Sequence, residues 1–210
     1  MKTYTITKVS GAPDWEKIPA LDIGEKYFDT PADMSAEAKI AYDSERIYVR
    51  LSTVESETRA VETDPLGSPC EDSCLEFFFC PMEGDNRYFN IEFNSNACIY
   101  CGFGSSVNNL VRLAADEDYK FAKTFSPNID LRDNGWNIEY SIPFEFIRRF
   151  FPDFQVYGGK KIRANCYKCS DLTVPSNYMA WNPIVGEPFK FHRPECFGEM
   201  TFSNYKFNFK

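Results

Sequence analysis

Histidine occurs only once among the 210 residues, at His192, which excludes any catalytic or metal site that needs two imidazoles. Positive charge is also short. Lys and Arg number 23 against 31 Asp and Glu, a net charge of -8, so the surface offers no counter-charge to phosphate backbones or anionic lipid. Nucleic acid and membrane are excluded as expected partners, and neutral or cationic ligands are favoured. No apolar run approaches the roughly 18 residues of a membrane span, and the opening Met1-Lys2-Thr3-Tyr4-Thr5-Ile6-Thr7 has no apolar stretch of signal-peptide length. The expected location of the chain as written is the cytoplasm, with secretion as the alternative.

The sequence is rich in aromatics: twenty Phe, twelve Tyr and three Trp. They recur in short runs of period-two alternation, which is the signature of half-buried strands. Ala38, Ile40 and Tyr42, the turn Asp43-Ser44, then Ile47, Val49 and Leu51 read as a hairpin. Leu75 to Phe79 reads as a central strand, and Tyr88 to Asn94 alternates before a return through Ile99 to Phe103. Trp136 to Ile142, Ile162 to Cys169 and Cys196 to Phe202 complete the clearest strands. Phe144 to Phe151, following Pro143, has helical spacing, and Asn108 to Ala115 suggests a short turn of helix. Asp64 to Pro69 and Pro183 to Pro188 read as loops. About ten short strands with little helix predict one all-β domain over 1–210, a β-sandwich of two antiparallel sheets with one or two short helices.

Alternation also assigns faces. If Phe89, Ile91 and Phe93 face the core, then Tyr88, Asn90, Glu92 and Asn94 share the other face. Likewise Arg163, Asn165 and Tyr167 share a face, and Glu76 sits between Leu75 and Phe77. If these strands lie in one sheet, Glu76, Asn90, Glu92, Arg163, Asn165 and Tyr167 form one polar surface flanked by aromatics. Amide, carboxylate and guanidinium groups bridge vicinal hydroxyls, and aromatic rings pack on the C–H faces of sugar rings, so such a surface suits a carbohydrate. The competing reading is a sheet face covered by its own loops, with these groups satisfying one another.

The same segments carry a family resemblance over about Trp15 to Phe202. Asp72-Ser73-Cys74-Leu75-Glu76-Phe77-Phe78, Tyr88 to Asn94, Trp136 to Pro143, Arg163 to Cys169, Trp181-Asn182-Pro183 and Phe191 to Gly198 together resemble a family 9 carbohydrate-binding module, most of all the family 9-like bacterial proteins. The resemblance implies a β-sandwich that binds sugar without cleaving it, with glucan or xylan chain ends as the ligand class. It also implies a ring at Trp181 as stacking platform and Glu76 as hydroxyl-binding carboxylate. Where the family carries its other stacking Trp, this chain has Cys70. Structural calcium, held by carboxylate and carbonyl oxygens, is a further implication; no other cofactor is expected. The expected carbohydrate-binding set is Trp181, Glu76, Arg163, Asn165 and Glu92, with Tyr88, Asn90 and Tyr167 behind them and no catalytic residue.

Several sharper alternatives arise from the residues. Cys98-Ile99-Tyr100-Cys101 and Cys166-Tyr167-Lys168-Cys169 have zinc-ligand spacing, but residues i and i+3 of a strand point to opposite faces, which favours buried free thiols. Glu76 and Glu92 as a catalytic pair would make a glycoside hydrolase, which needs carboxyls about 5–5.5 Å apart for retention or about 6.5–9.5 Å for inversion. One His and five Met leave haem ligation open in principle. A protein-interaction domain without a sugar ligand is the remaining class.

Overall fold

The computed structural model describes residues 1–64, 66–114 and 121–206. In chain order the strands are β1 (Thr3–Lys8), β2 (Leu21–Asp22), β3 (Glu25–Tyr27), β4 (Ser35–Tyr42), β5 (Arg46–Val54), β6 (Cys74–Cys80), β7 (Tyr88–Asn94), β8 (Ile99–Gly104) and β9 (Val111–Arg112). The one-turn helix α1 (Ala122–Phe125) leads to β10 (Asn128–Arg132), β11 (Gly135–Pro143), helix α2 (Phe144–Arg148), β12 (Lys161–Ser170), β13 (Asn177–Ala180) and β14 (Gly198–Lys206). The expected all-β class with little helix is observed.

The expectation of two separate antiparallel sheets is corrected. Hydrogen bonding runs without a break in the order β10-β11-β5-β4-β1-β14-β12-β6-β7-β8-β9. The link is β1, which pairs in parallel with both β14 and β4 and so joins the two halves into one mixed sheet. Alternation within single strands carries no sign of this pairing, because a strand shared by two neighbours has the same period as any other. The sheet curls, so that Val49, Leu51, Ile138 and Tyr140 from one half meet Phe77, Phe79, Phe89 and Phe93 from the other in a single core. Each of these buried side chains contributes about 1.5–3 kcal/mol by leaving water.

Local chemistry explains the elements. Asp43 Oδ1 accepts hydrogen bonds from the backbone N–H of Glu45 (2.7 Å) and Arg46 (2.9 Å), an Asx turn that closes the β4–β5 hairpin. Strand β5 then alternates half-buried and buried residues to its penultimate position. Strands β6 and β7 are buried at every residue, because one face meets the core and the other is covered by later segments. Pro143 ends β11 and stands immediately before α2, which stops at Arg148, short of the expected Phe151. The turn expected over Asn108 to Ala115 is a 3₁₀ turn at Val107–Asn109 followed by β9; Ala115 lies outside the described residues, as does Pro65 of the expected Asp64 to Pro69 loop.

One charged pair lies inside this frame. Lys168 Nζ is 3.1 Å from Glu55 Oε2, with both side chains essentially inaccessible, and it also donates to Asn177 Oδ1 at 3.0 Å. Glu55 accepts in turn from Ser73 Oγ, which receives the Trp136 indole N–H at 2.8 Å. Buried charge is tolerable because every member has a partner.

Candidate functional site

Strand register brings the two expected polar groups onto one sheet face. Tyr167 pairs with Glu76, Asn165 with Phe78 and Arg163 with Cys80, while Glu76 pairs with Glu92 and Phe78 with Asn90. Residues opposite each other across a sheet share a face, so Arg163, Asn165, Tyr167, Glu76, Asn90 and Glu92 all point the same way.

That face is divided. At one end the segment 182–197 lies over it. Tyr167 Oη donates to the Phe191 carbonyl at 3.0 Å, and Tyr88 Oη is 2.9 Å from His192 Nδ1. Asn165 donates to the Asn182 carbonyl at 3.0 Å and accepts from its N–H at 2.8 Å. Arg163 donates to the carbonyls of Pro194 (2.9 Å) and Asp85 (3.2 Å) and to Asn86 Oδ1 (2.9 Å). Asn90 is fully buried between Tyr88 and Glu92. Arg163, Asn165, Tyr167 and Tyr88 fasten the covering segment, Asn90 is buried with its amide beside Glu92, and none of the five lines the cleft at the other end.

At the other end the face opens into a cleft of about 1030 Å³. Its floor holds Glu76, Glu92 and Cys169, and Cys70 and Asp171 stand at its side. Tyr27, Phe28, Tyr178, Phe189 and Phe191 form an aromatic wall, with His192 beside it. The wall holds together by edge contacts: Phe28 to Phe189 at 4.9 Å and to Tyr178 at 5.6 Å, Phe189 to Phe191 at 5.6 Å between centroids. Phe191 stacks flat on Tyr167 at 4.2 Å, which ties the wall to the sheet. Phe28 is 70% exposed and has φ of 53°, a left-handed backbone conformation uncommon for an aromatic residue. Its ring borders the cleft.

The electrostatics of the floor follow from burial. Glu76 and Glu92 are 2% and 6% exposed. Burial raises the pKa of both above the usual carboxylate range, and repulsion from Glu92 raises that of Glu76 further. Burial pushes His192 down to about 4, with Lys190 acting in the same direction, so its ring is neutral near pH 7. The cleft thus presents polarisable carboxyls and a neutral imidazole below apolar rings.

Trp181, the expected stacking platform, does not line this cleft. The ring is 3% exposed within the main core, and its Cζ3 lies 2.6 Å from where a Cβ on Gly198 would sit. Of the expected set, Glu76 and Glu92 line the cleft. The aromatic wall was not expected, although the alternation Phe189-Lys190-Phe191-His192 signals two rings on one side of an extended segment. Phe28 carries no such signal, since its exposure depends on an unusual backbone angle.

The cysteines lie as the parity argument requires. All eight are free. Cys166 belongs to the core, whereas Cys169 faces the cleft, so that pair does not converge; Cys101 lies in the core and Cys98 Sγ is 3.0 Å from the Asp64 carbonyl. Among the described residues, Cys74, Glu76 and Cys169 are the group of His, Cys, Asp or Glu side chains whose donor atoms gather.

The profile of carbohydrate-binding family 9 matches residues 13–202, nearly the whole chain, and the chain belongs to that family. No curated protein sequence matches it significantly. Among solved structures, it is similar to a Bacteroides uniformis protein provisionally described as carbohydrate-binding, with 26% identity, 96% of this chain and 99% of that one covered, and a TM-score of 0.79. Family 9 modules of Caldicellulosiruptor kristjanssonii in complex with glucose and with cellotriose share the fold at 14% and 13% identity. Their TM-scores are 0.66 and 0.68; 99% of this chain is covered in both, and 99% and 96% of theirs.

Proposed function

We propose that the chain binds a mono- or oligosaccharide in this cleft without cleaving it. The observation that carries the reading is the juxtaposition of the Glu76 and Glu92 carboxyls with the aromatic wall in one open cleft. Rings such as Phe28 and Phe189 offer a platform for the C–H face of a pyranose, and the carboxyls take its hydroxyls. Glucan or xylan chain ends are the ligand class, and the glucose and cellotriose complexes of the family 9 modules support a glucan first.

The test is calorimetric titration of the purified protein with glucose, cellotriose and xylo-oligosaccharides, each with and without a reduced end, followed by product analysis after long incubation. Saturable binding without new products is the expected result. Cleavage products would replace the reading with a hydrolase built on Glu76 and Glu92. The absence of both heat and products would favour an interaction domain without a sugar ligand.

A further inference from the structure

Neither C-x-x-C pair makes a metal site, yet cross-strand register assembles a different one. Cys74 and Glu76 are two residues apart on β6 and share a face, and Cys169 of β12 stands directly opposite Cys74. One donor atom from each, two sulfurs and a carboxylate oxygen, all lie within 4.8 Å of one another. Cys169 Sγ is already 3.0 Å from Glu76 Oε1. The three side chains are 0 to 2% exposed and are held on two adjacent strands, so little ordering entropy remains to be lost on binding. Glu76 and Cys169 line the cleft, which gives an ion its route in.

We propose that Cys74, Glu76 and Cys169 form a site for a thiophilic divalent cation of the zinc type, entered from the cleft. Two thiolates and one carboxylate are a soft-biased donor set that suits zinc and disfavours calcium and magnesium, which take oxygen ligands alone. Three protein ligands leave a fourth tetrahedral position on the cleft side, for water or a ligand hydroxyl. Binding replaces the S–H···O contact with three bonds to the metal. The two thiol protons, and the carboxyl proton when Glu76 carries one, leave to solvent, no electron is transferred, and the negative charges of the donor set are largely neutralised. The inference is independent of the sugar reading, although it uses Glu76 in both.

The experiment is titration of the full-length, chelator-treated, reduced protein with Co²⁺ alone, followed by displacement with Zn²⁺. The expected result is a thiolate-to-cobalt charge-transfer band with the visible d–d bands of a tetrahedral site, saturating at one equivalent and bleached by Zn²⁺. Cys74→Ser and Cys169→Ser should each lose the charge-transfer intensity or weaken binding at least about tenfold, while Cys98→Ser, which lies outside the three-residue cluster, keeps both. Should the cysteine variants not fold, Glu76→Gln tests the same site through its third ligand and should weaken Co²⁺ about tenfold with the thiolate band retained at saturation. An absence of tetrahedral bands at millimolar Co²⁺, or bands unaltered in Cys74→Ser, Cys169→Ser and Glu76→Gln, would overturn the proposal.

Discussion

Glu76 and Glu92 stand directly opposite each other on β6 and β7, and both are buried yet open into the same cleft. Two carboxyls in that position oppose each other's ionisation, so the fold carries an unfavourable pair at the place where a ligand would contact it.

Neutralising either member separates binding from folding. Glu76→Gln and Glu92→Gln keep the shape and end the mutual repulsion of the pair. Thermal stability at pH 7 should hold or rise, while sugar affinity falls by about 0.5–1.5 kcal/mol, roughly 2- to 10-fold in Kd, because an amide NH₂ replaces a carboxyl oxygen that accepts from a sugar hydroxyl. Calorimetry and thermal melts of the same samples check both halves.

Phe28 supports a complementary expectation on the apolar side. Its ring is mostly exposed, so Phe28→Ala should change stability by no more than about 0.5 kcal/mol. Loss of one stacking face should weaken sugar binding roughly 3- to 10-fold. Phe28→Gly should weaken binding equally and be the more stable of the two, since glycine accepts the positive φ without strain.

Trp181 should behave as a core residue. Trp181→Ala should cost about 3–5 kcal/mol by denaturant unfolding, and any loss of sugar binding should follow the loss of folded protein. Gly198→Ala should also destabilise, because the added methyl meets the indole.

The Lys168–Glu55 pair predicts a non-additive result. Lys168→Met strands a buried carboxylate and should cost about 3–5 kcal/mol. Adding Glu55→Gln should recover part of that loss, measured by urea melts in a double-mutant cycle.

His192 gives stability a pH dependence of defined sign. Its folded pKa is lowered to about 4, against about 6.5 unfolded, so between these values the unfolded chain binds the extra proton. Its contribution is complete above about 6.5 and declines by up to about 3 kcal/mol as pH falls to about 4. His192 faces Tyr88 and Phe78 with Lys190 beside it, and His192→Gln keeps an acceptor for the Tyr88 hydroxyl. The stability difference between wild type and this variant should shrink across that window; a flat difference would contradict the assignment.

Much of this was legible in the sequence, for a physical reason. Strand faces follow from period-two alternation, so Glu76 and Glu92 could be assigned to a common polar face, and the hairpin from Ala38 to Leu51 could be drawn with its turn. Two features were not local. The parallel seating of β1 between β4 and β14 depends on residues far apart in the chain, and so does the covering segment that turns Tyr88, Asn165 and Tyr167 into fasteners. The enclosure of Trp181 was not legible either, because a Trp beside polar strands reads as a platform and only the tertiary fold sets Gly198 and the core around it. Phe28 was invisible because its exposure depends on one backbone angle.

The most direct measurement is a crystal structure of the protein grown with cellotriose. The expected result places a sugar ring in the cleft, against Phe28, Phe189 or Tyr178, with a hydroxyl within hydrogen-bond distance of Glu76 or Glu92. A sugar bound on another face, with the cleft vacant and both carboxyls untouched, would contradict the assignment of this site.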